Sequence, residues 1–126
     1  MIVSLSLNDL TQAGCSTLVG NPTAADVRNL LSLMDGMTRT ELGVSDSDES
    51  GLVITGGFQG CFMCEYMSAH DNRVLINDNG AKQADLQIER DGDRFPAELV
   101  VDKEIAEQAA LYFLTHEKLD PTWRWQ

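Results

Sequence analysis

Leu52-Val53-Ile54-Thr55-Gly56-Gly57-Phe58-Gln59-Gly60-Cys61-Phe62-Met63-Cys64-Glu65-Tyr66-Met67-Ser68 decides the fold. β-Branched, aromatic and sulfur-bearing residues fill both flanks, and glycines break the middle. Two strands, 52–58 and 61–68, therefore fold back on each other through a hairpin that Gly56 and Gly57 permit. Alternation puts Phe62, Cys64 and Tyr66 on one face of the second strand and Cys61, Met63 and Glu65 on the other. One of these faces is expected to be partly exposed, and a binding surface could lie there. The glycine run lacks the Lys-Ser/Thr of a phosphate-binding loop and opens no helix, so phosphate cradling is not its reading.

On either side the same texture continues. Strands are expected over 37–44, 73–77 and 83–89, separated by Asp46-Ser47-Asp48-Glu49-Ser50-Gly51, His70-Asp71-Asn72, Asp78-Asn79-Gly80 and Asp91-Gly92. Those are turn sequences, and short connections make the strands antiparallel neighbours. Met1 to Leu7 alternates as a further strand, while residues 8–20 read as a loop or weak element. A helix follows. Pro22 precedes Thr23-x-x-Asp26, a capping-box-like start, and Val27, Leu30, Leu31 and Met34 repeat with helical spacing until Gly36. Its charged Asp26, Arg28 and Asp35 face water or cap the ends.

The last third predicts a short strand over Ala97-Glu98-Leu99-Val100-Val101, then a helix with Asp102 as N-cap and Glu104 in its first turn, ending near His116. Ile105, Ala109, Tyr112 and Phe113 form its buried stripe, leaving Lys103, Glu107 and Lys118 outside. Pro121 then separates the helix from Trp123-Arg124-Trp125-Gln126. Two indoles at period-two spacing in a tail that would otherwise fray predict a docked strand, with Trp123 and Trp125 on the helix stripe and Arg124 outward. The expected fold is α+β. One domain spans 1–126, an antiparallel meander of five or six strands with two main helices on one face.

With 126 residues and 13.9 kDa, the chain can bury roughly two-thirds of its unfolded surface and needs no metal or disulfide to fold. No apolar run has the length of a membrane span, and the start carries no basic leader region, so the expected home is the cytoplasm, without a membrane partner. Twenty acidic against nine basic residues give a formal net charge of -11. Such a surface repels nucleic acid and attracts a basic protein.

No chemistry-bearing constellation is complete. Cys15, Cys61 and Cys64 are an odd set, and Cys61-Phe62-Met63-Cys64 has zinc spacing without a second ligand pair; in a strand its thiols point apart, which suits packing. Asp46-x-Asp48-x-Ser50-Gly51 resembles half a calcium loop, but its twelfth position is Gly57. His70 reads as a turn histidine beside Asp71, and His116 as a favourable charge at a helix C-terminus. Asp91 and Asp93 sit in a wet acidic loop, where pKa tuning is weak. No enzyme, cofactor or metal is expected.

The order of elements is itself informative: an early helix, the Gly56-Gly57 hairpin, an aromatic-bearing strand, Pro96, Val100-Val101, a helix with Ala109-Ala110 and Phe113-Leu114, then Pro121 and the tryptophans. This order resembles immunity protein family one of bacterial polymorphic toxin systems, over about residue 50 to the end. The resemblance implies a small cytoplasmic inhibitor that binds and occludes a toxin, often a nucleic-acid deaminase, encoded beside it. It carries over Gly56 and Gly57 for the hairpin, Phe113 for the helix face, and Trp123 and Trp125 for the closing strand. No toxin-contacting residue transfers. From the residues alone, the candidate contacts with the basic substrate cleft of a toxin are Asp46, Asp48, Glu49, Asp71, Asp91 and Asp93, with Tyr66 as aromatic anchor. An acidic scaffold or regulatory protein with another basic partner, or a small metal-binding protein, are the alternatives.

Overall fold

In the computed structural model, which describes residues 2–11, 16–46, 49–78, 88–90, 93–95 and 97–126, the elements follow in this order: β1 (Ile2–Asn8), β2 (Ser16–Gly20), α1 (Ala24–Leu33), β3 (Glu41–Asp46), β4 (Gly51–Gly56), β5 (Phe62–Met67), β6 (Asn72–Ile76), β7 (Ile88–Arg90), β8 (Asp93–Phe95), α2 (Lys103–His116) and β9 (Arg124–Trp125). Seven strands form one antiparallel sheet in the order β2-β1-β3-β4-β5-β6-β9. β7 and β8 pair separately as a ribbon. The glycine hairpin sits near the middle, with Ile54 opposite Cys64 and Leu52 opposite Tyr66.

Register explains the core. Leu5, Val44 and Leu52 lie in one cross-strand row and Leu7, Leu42, Ile54 and Cys64 in the next, so alternation delivers them all to one face, where each is fully buried or nearly so. Both helices cover that face, antiparallel to one another. Arg28 on α1 lies 3.6 Å from Glu107 on α2, and Lys103 donates to the Ser32 hydroxyl at 2.9 Å. The α1 start is a true capping box: the Thr23 hydroxyl accepts from the Asp26 N–H, while the Asp26 carboxylate accepts from the Thr23 N–H at 2.8 Å. Asp102 caps α2 by accepting from the Ile105 N–H at 2.9 Å.

The docked tail is also as expected. β9 pairs with β6, the Trp125 indole donates to the Asp120 carbonyl at 3.0 Å, and both tryptophans pack half-buried against the same core as Phe113. Arg124 points outward to Asp78 at 2.7 Å.

Four local readings change. Residues 8–20 contain an edge strand, β2, recruited by pairing with β1 although four of its five residues are exposed. Residues 34–40 are a loop rather than the start of β3, because the Asp35 carboxylate collects the N–H groups of Met37, Thr38 and Arg39. The expected strand at 97–101 is a single 3-10 turn, Ala97–Leu99, plus one bridge between Val101 and Phe62. It crosses the end of β6, where Asn77 bonds Glu98 and Val100, and it lays Val100 against Cys61 and Met63 on the second sheet face. The buried stripe of α2 is Ala106, Ala109, Ala110 and Phe113; Ile105 is half-buried, and Tyr112 leaves the core to stack on His116. Small alanines let this helix approach the sheet closely. The strand expected over 83–89 falls mostly outside the described residues, which contain only its end in β7.

Candidate protein-binding surface

Antiparallel strands gather the loops at the two ends of the sheet, and the ends differ in chemistry. At one end lie the β3–β4 and β5–β6 turns, brought side by side by the pairing of Gly51 with Met67. They carry Asp46, Glu49 and Asp71. Asp46 is occupied by its own turn, its carboxylate accepting from the Ser50 N–H at 3.1 Å and the Ser50 hydroxyl at 2.7 Å. Asp71 is bound to Arg73 at 2.8 Å. Glu49 is exposed, with its backbone in the left-handed region at φ 62°. Asp48 and Asp91 lie outside the described residues, and Asp93 is described only as the first residue of β8.

Tyr66 is turned away from these carboxylates. It sits on the helix-covered face, half-buried, with its ring edge-on to Phe113 at 6.1 Å between centroids. It is better suited to the core than to a partner. The second face of β5 is covered as well at Cys61 and Met63, so the partly exposed positions of this strand are confined to Glu65, Tyr66 and Met67.

The opposite end is built from residues 9–11, 34–40 and 57–61. Hydrogen bonds tie these three segments together: the Leu10 N–H donates to the Thr38 carbonyl at 2.7 Å, the Gly56 N–H to the Thr40 carbonyl at 2.9 Å, and the Gly57 N–H to the Cys61 carbonyl at 2.8 Å. Asn8 joins in through its side chain, accepting from the Thr40 N–H and donating to the Thr40 hydroxyl, both at 2.8 Å. Arg39 reaches Asp9 at 3.6 Å.

Glycine makes the close approach possible. Gly57 has φ 114°, and a Cβ there would lie 2.7 Å from the Met34 carbonyl; Gly56 has φ 121°, and its Cβ would lie 2.3 Å from the Cys61 carbonyl oxygen. Gln59, a non-glycine residue, also adopts positive φ. A turn wound this way, and abutting the 34–36 backbone, fixes where Phe58 points. It points outward, with 54% of its surface exposed.

Phe58 has company. Of the six large apolar side chains exposed among the described residues, Leu10, Leu33, Met37 and Phe58 stand on or beside these tied segments. Apolar groups gathered at one site on a charged surface mark interaction surfaces more often than apolar groups scattered singly. The loop that presents Met37 is organised by Asp35. Its carboxylate accepts from the Arg39 N–H at 3.0 Å, the Thr38 hydroxyl at 2.7 Å, the Met37 N–H at 2.9 Å and the Thr38 N–H at 2.8 Å, and these bonds hold it ionised far below the usual carboxylate range. On the neighbouring segment the Asp9 carboxylate accepts from the Thr11 hydroxyl and from the Thr11 N–H at 2.9 Å, which lowers its pKa.

Sequence reasoning assigned Gly56 and Gly57 to a hairpin and overlooked the phenylalanine they display. The available signal was an aromatic residue between glycines, where a strand-building aromatic has no neighbour to pack on. The thiols are buried apart: Cys61, just before β5, packs with Met63 and Val100, and Cys64 within β5 packs in the main core on the other face, where burial pushes its thiol up to about 12. Among the described residues no three His, Cys, Asp or Glu side chains gather as a metal site, and no helix is long and apolar enough to cross a membrane. Compared with protein families and with curated proteins, the chain matches no family and no individual relative.

Proposed function

We propose that this chain is an inhibitory binding protein of the immunity type, which docks on a basic protein toxin and occludes its substrate site. The toxin class suggested by the resemblance is one that acts on nucleic acid, with a deaminase as the leading example. One observation carries the binding part of the reading: Phe58, Met37 and Leu10 are displayed on preformed, hydrogen-bonded loops, with exposed Leu33 beside them at the end of α1, in a chain whose net charge is -11.

The two properties divide the labour. A net negative field speeds encounter with a cationic cleft, typically by orders of magnitude at low salt, but adds less to the lifetime of the complex. A desolvated aromatic anchor supplies that lifetime, and truncating one commonly costs 2 kcal/mol or more, about thirtyfold in affinity. Preformed loops reduce the ordering cost of binding. Four hydrogen bonds to the Asp35 carboxylate hold the loop that carries Met37. A bound acidic domain over a nucleic-acid cleft excludes the substrate by both volume and charge.

The product of the gene immediately upstream is the partner to test. Its C-terminal domain, purified and titrated with this chain, is expected to bind, and its toxicity in a bacterial host is expected to vanish on co-expression. If that domain neither binds nor is neutralised, the immunity reading fails. Binding without toxicity would instead favour a regulatory or scaffold protein using the same surface.

A further inference from the structure

The two edges of the sheet are defended unequally. At one edge β9 is only two residues long, and its Arg124 is charged and ion-paired to Asp78, features that discourage another strand from pairing there. At the other edge β2, Ser16-Thr17-Leu18-Val19-Gly20, has none of these features. It pairs with β1 without a bulge, contains neither proline nor charge, and leaves Leu18 71% exposed. The lack of charge extends beyond the strand. Between Asp9 and Asp26 no residue carries a charge, in a chain with twenty acidic residues.

We propose that β2 pairs antiparallel with β2 of a second copy of this chain, joining two seven-stranded sheets across a two-fold axis. Charge decides the occupant. Two copies that each carry -11 repel almost everywhere, and self-association is least opposed where both surfaces are neutral. A basic partner, in contrast, gains nothing electrostatically from this tract. A two-fold axis through Leu18 also gives a self-complementary register: Leu18 meets Leu18, Thr17 meets Val19 and Ser16 meets Gly20, with no like charges opposed. Strand addition supplies main-chain hydrogen bonds to the outer edge of β2, and the Leu18 pair covers its exposed apolar surface. In this arrangement the Phe58 ends of the two copies lie at opposite ends of the joined sheet, so the pairing stands independently of the proposed binding function.

Sedimentation velocity over a range of protein and salt concentrations tests the pairing. The wild-type chain is expected to dimerise as its concentration rises, and added salt is expected to tighten the dimer by screening repulsion. Leu18→Lys, which opposes two cations on the axis, is expected to weaken the dimer at least about tenfold at low salt. Met67→Lys, at a distant exposed position, is expected to leave it unchanged. Should circular dichroism show that Leu18→Lys is unfolded, Thr17→Lys takes its place, since Thr17 is also exposed on the edge strand. A chain that stays monomeric at every concentration and salt, or a dimer insensitive to the folded edge variant, overturns the proposal. So does amide protection of residues 16–20 that appears only when a different protein is added.

Discussion

The two ends of the sheet hold different resources. The end with the β3–β4 and β5–β6 turns is rich in carboxylates, yet Asp46 is satisfied by Ser50 and Asp71 by Arg73. The end with the glycine turn uses its Asp35 internally and offers apolar surface on Phe58, Met37, Leu33 and Leu10. A count of charges therefore misjudges the ends. Carboxylates already held by their own turns act at a distance through their field, whereas a rigidly displayed phenylalanine acts on contact.

The strongest perturbation removes what both ends share. Phe113 is 1% exposed and joins α2 to the sheet beneath, so Phe113→Ala is expected to cost about 3–5 kcal/mol of folding stability and to loosen the loops at both ends together. Denaturant unfolding checks the first part. Retained stability would mean that the helix layer does not support the loops.

Gly57→Ala separates the ends. The added Cβ meets the Met34 backbone and the residue keeps φ 114°, so a loss above about 1 kcal/mol is expected, with the disturbance centred on residues 34–40 and 57–61. Hydrogen exchange should show those amides opening while the Asp46 and Asp71 turns stay protected. Equal opening at both ends would break the distinction.

Alkaline pH probes the core between them. The Cys64 pKa is raised by burial from 9.0 to about 12, so the unfolded chain loses this proton first as pH rises. The contribution is fully present below the unfolded value and is lost between pH 9 and about 12, with a slope of at most about 1.4 kcal/mol per pH unit. Cys64→Ala should flatten that part of the stability profile. A profile unchanged by the substitution would mean that this thiol does not titrate as its burial requires.

The smallest effect is expected from the acidic end. If the proposed toxin partner is right, reversing Asp46 and Glu49 to Lys should slow association with it a few-fold at low salt and leave dissociation unchanged. Added salt should erase the difference. Faster dissociation would place that end within the interface itself.

How much of this was legible in the sequence follows physical lines. The central hairpin, the helix caps and the docked tail were readable because each is set by a local rule: alternation about Gly56 and Gly57, Thr23 with Asp26, and two indoles at period two. β2 was not readable, since an edge strand exposed at four of five positions carries almost no burial pattern. The segment 97–101 looked like a strand by composition, but its hydrogen bonds go to the end of β6 and to Phe62. The site was the least legible part. Leu10, Met37 and Phe58 are far apart in sequence, and only the antiparallel topology brings their loops to one end. The carboxylates chosen from charge alone scattered differently: Asp46, Glu49 and Asp71 meet at the other end, and Tyr66 turned inward.

The most direct test of the central claim is the affinity of Phe58→Ala for the C-terminal domain of the upstream gene product, measured by calorimetry beside Met67→Ala at the opposite end. Both variants are expected to keep stability within about 0.5 kcal/mol of the parent, since both side chains are exposed. Phe58→Ala should then bind about thirtyfold more weakly and Met67→Ala as the parent does. Undiminished affinity of a folded Phe58→Ala would contradict the account.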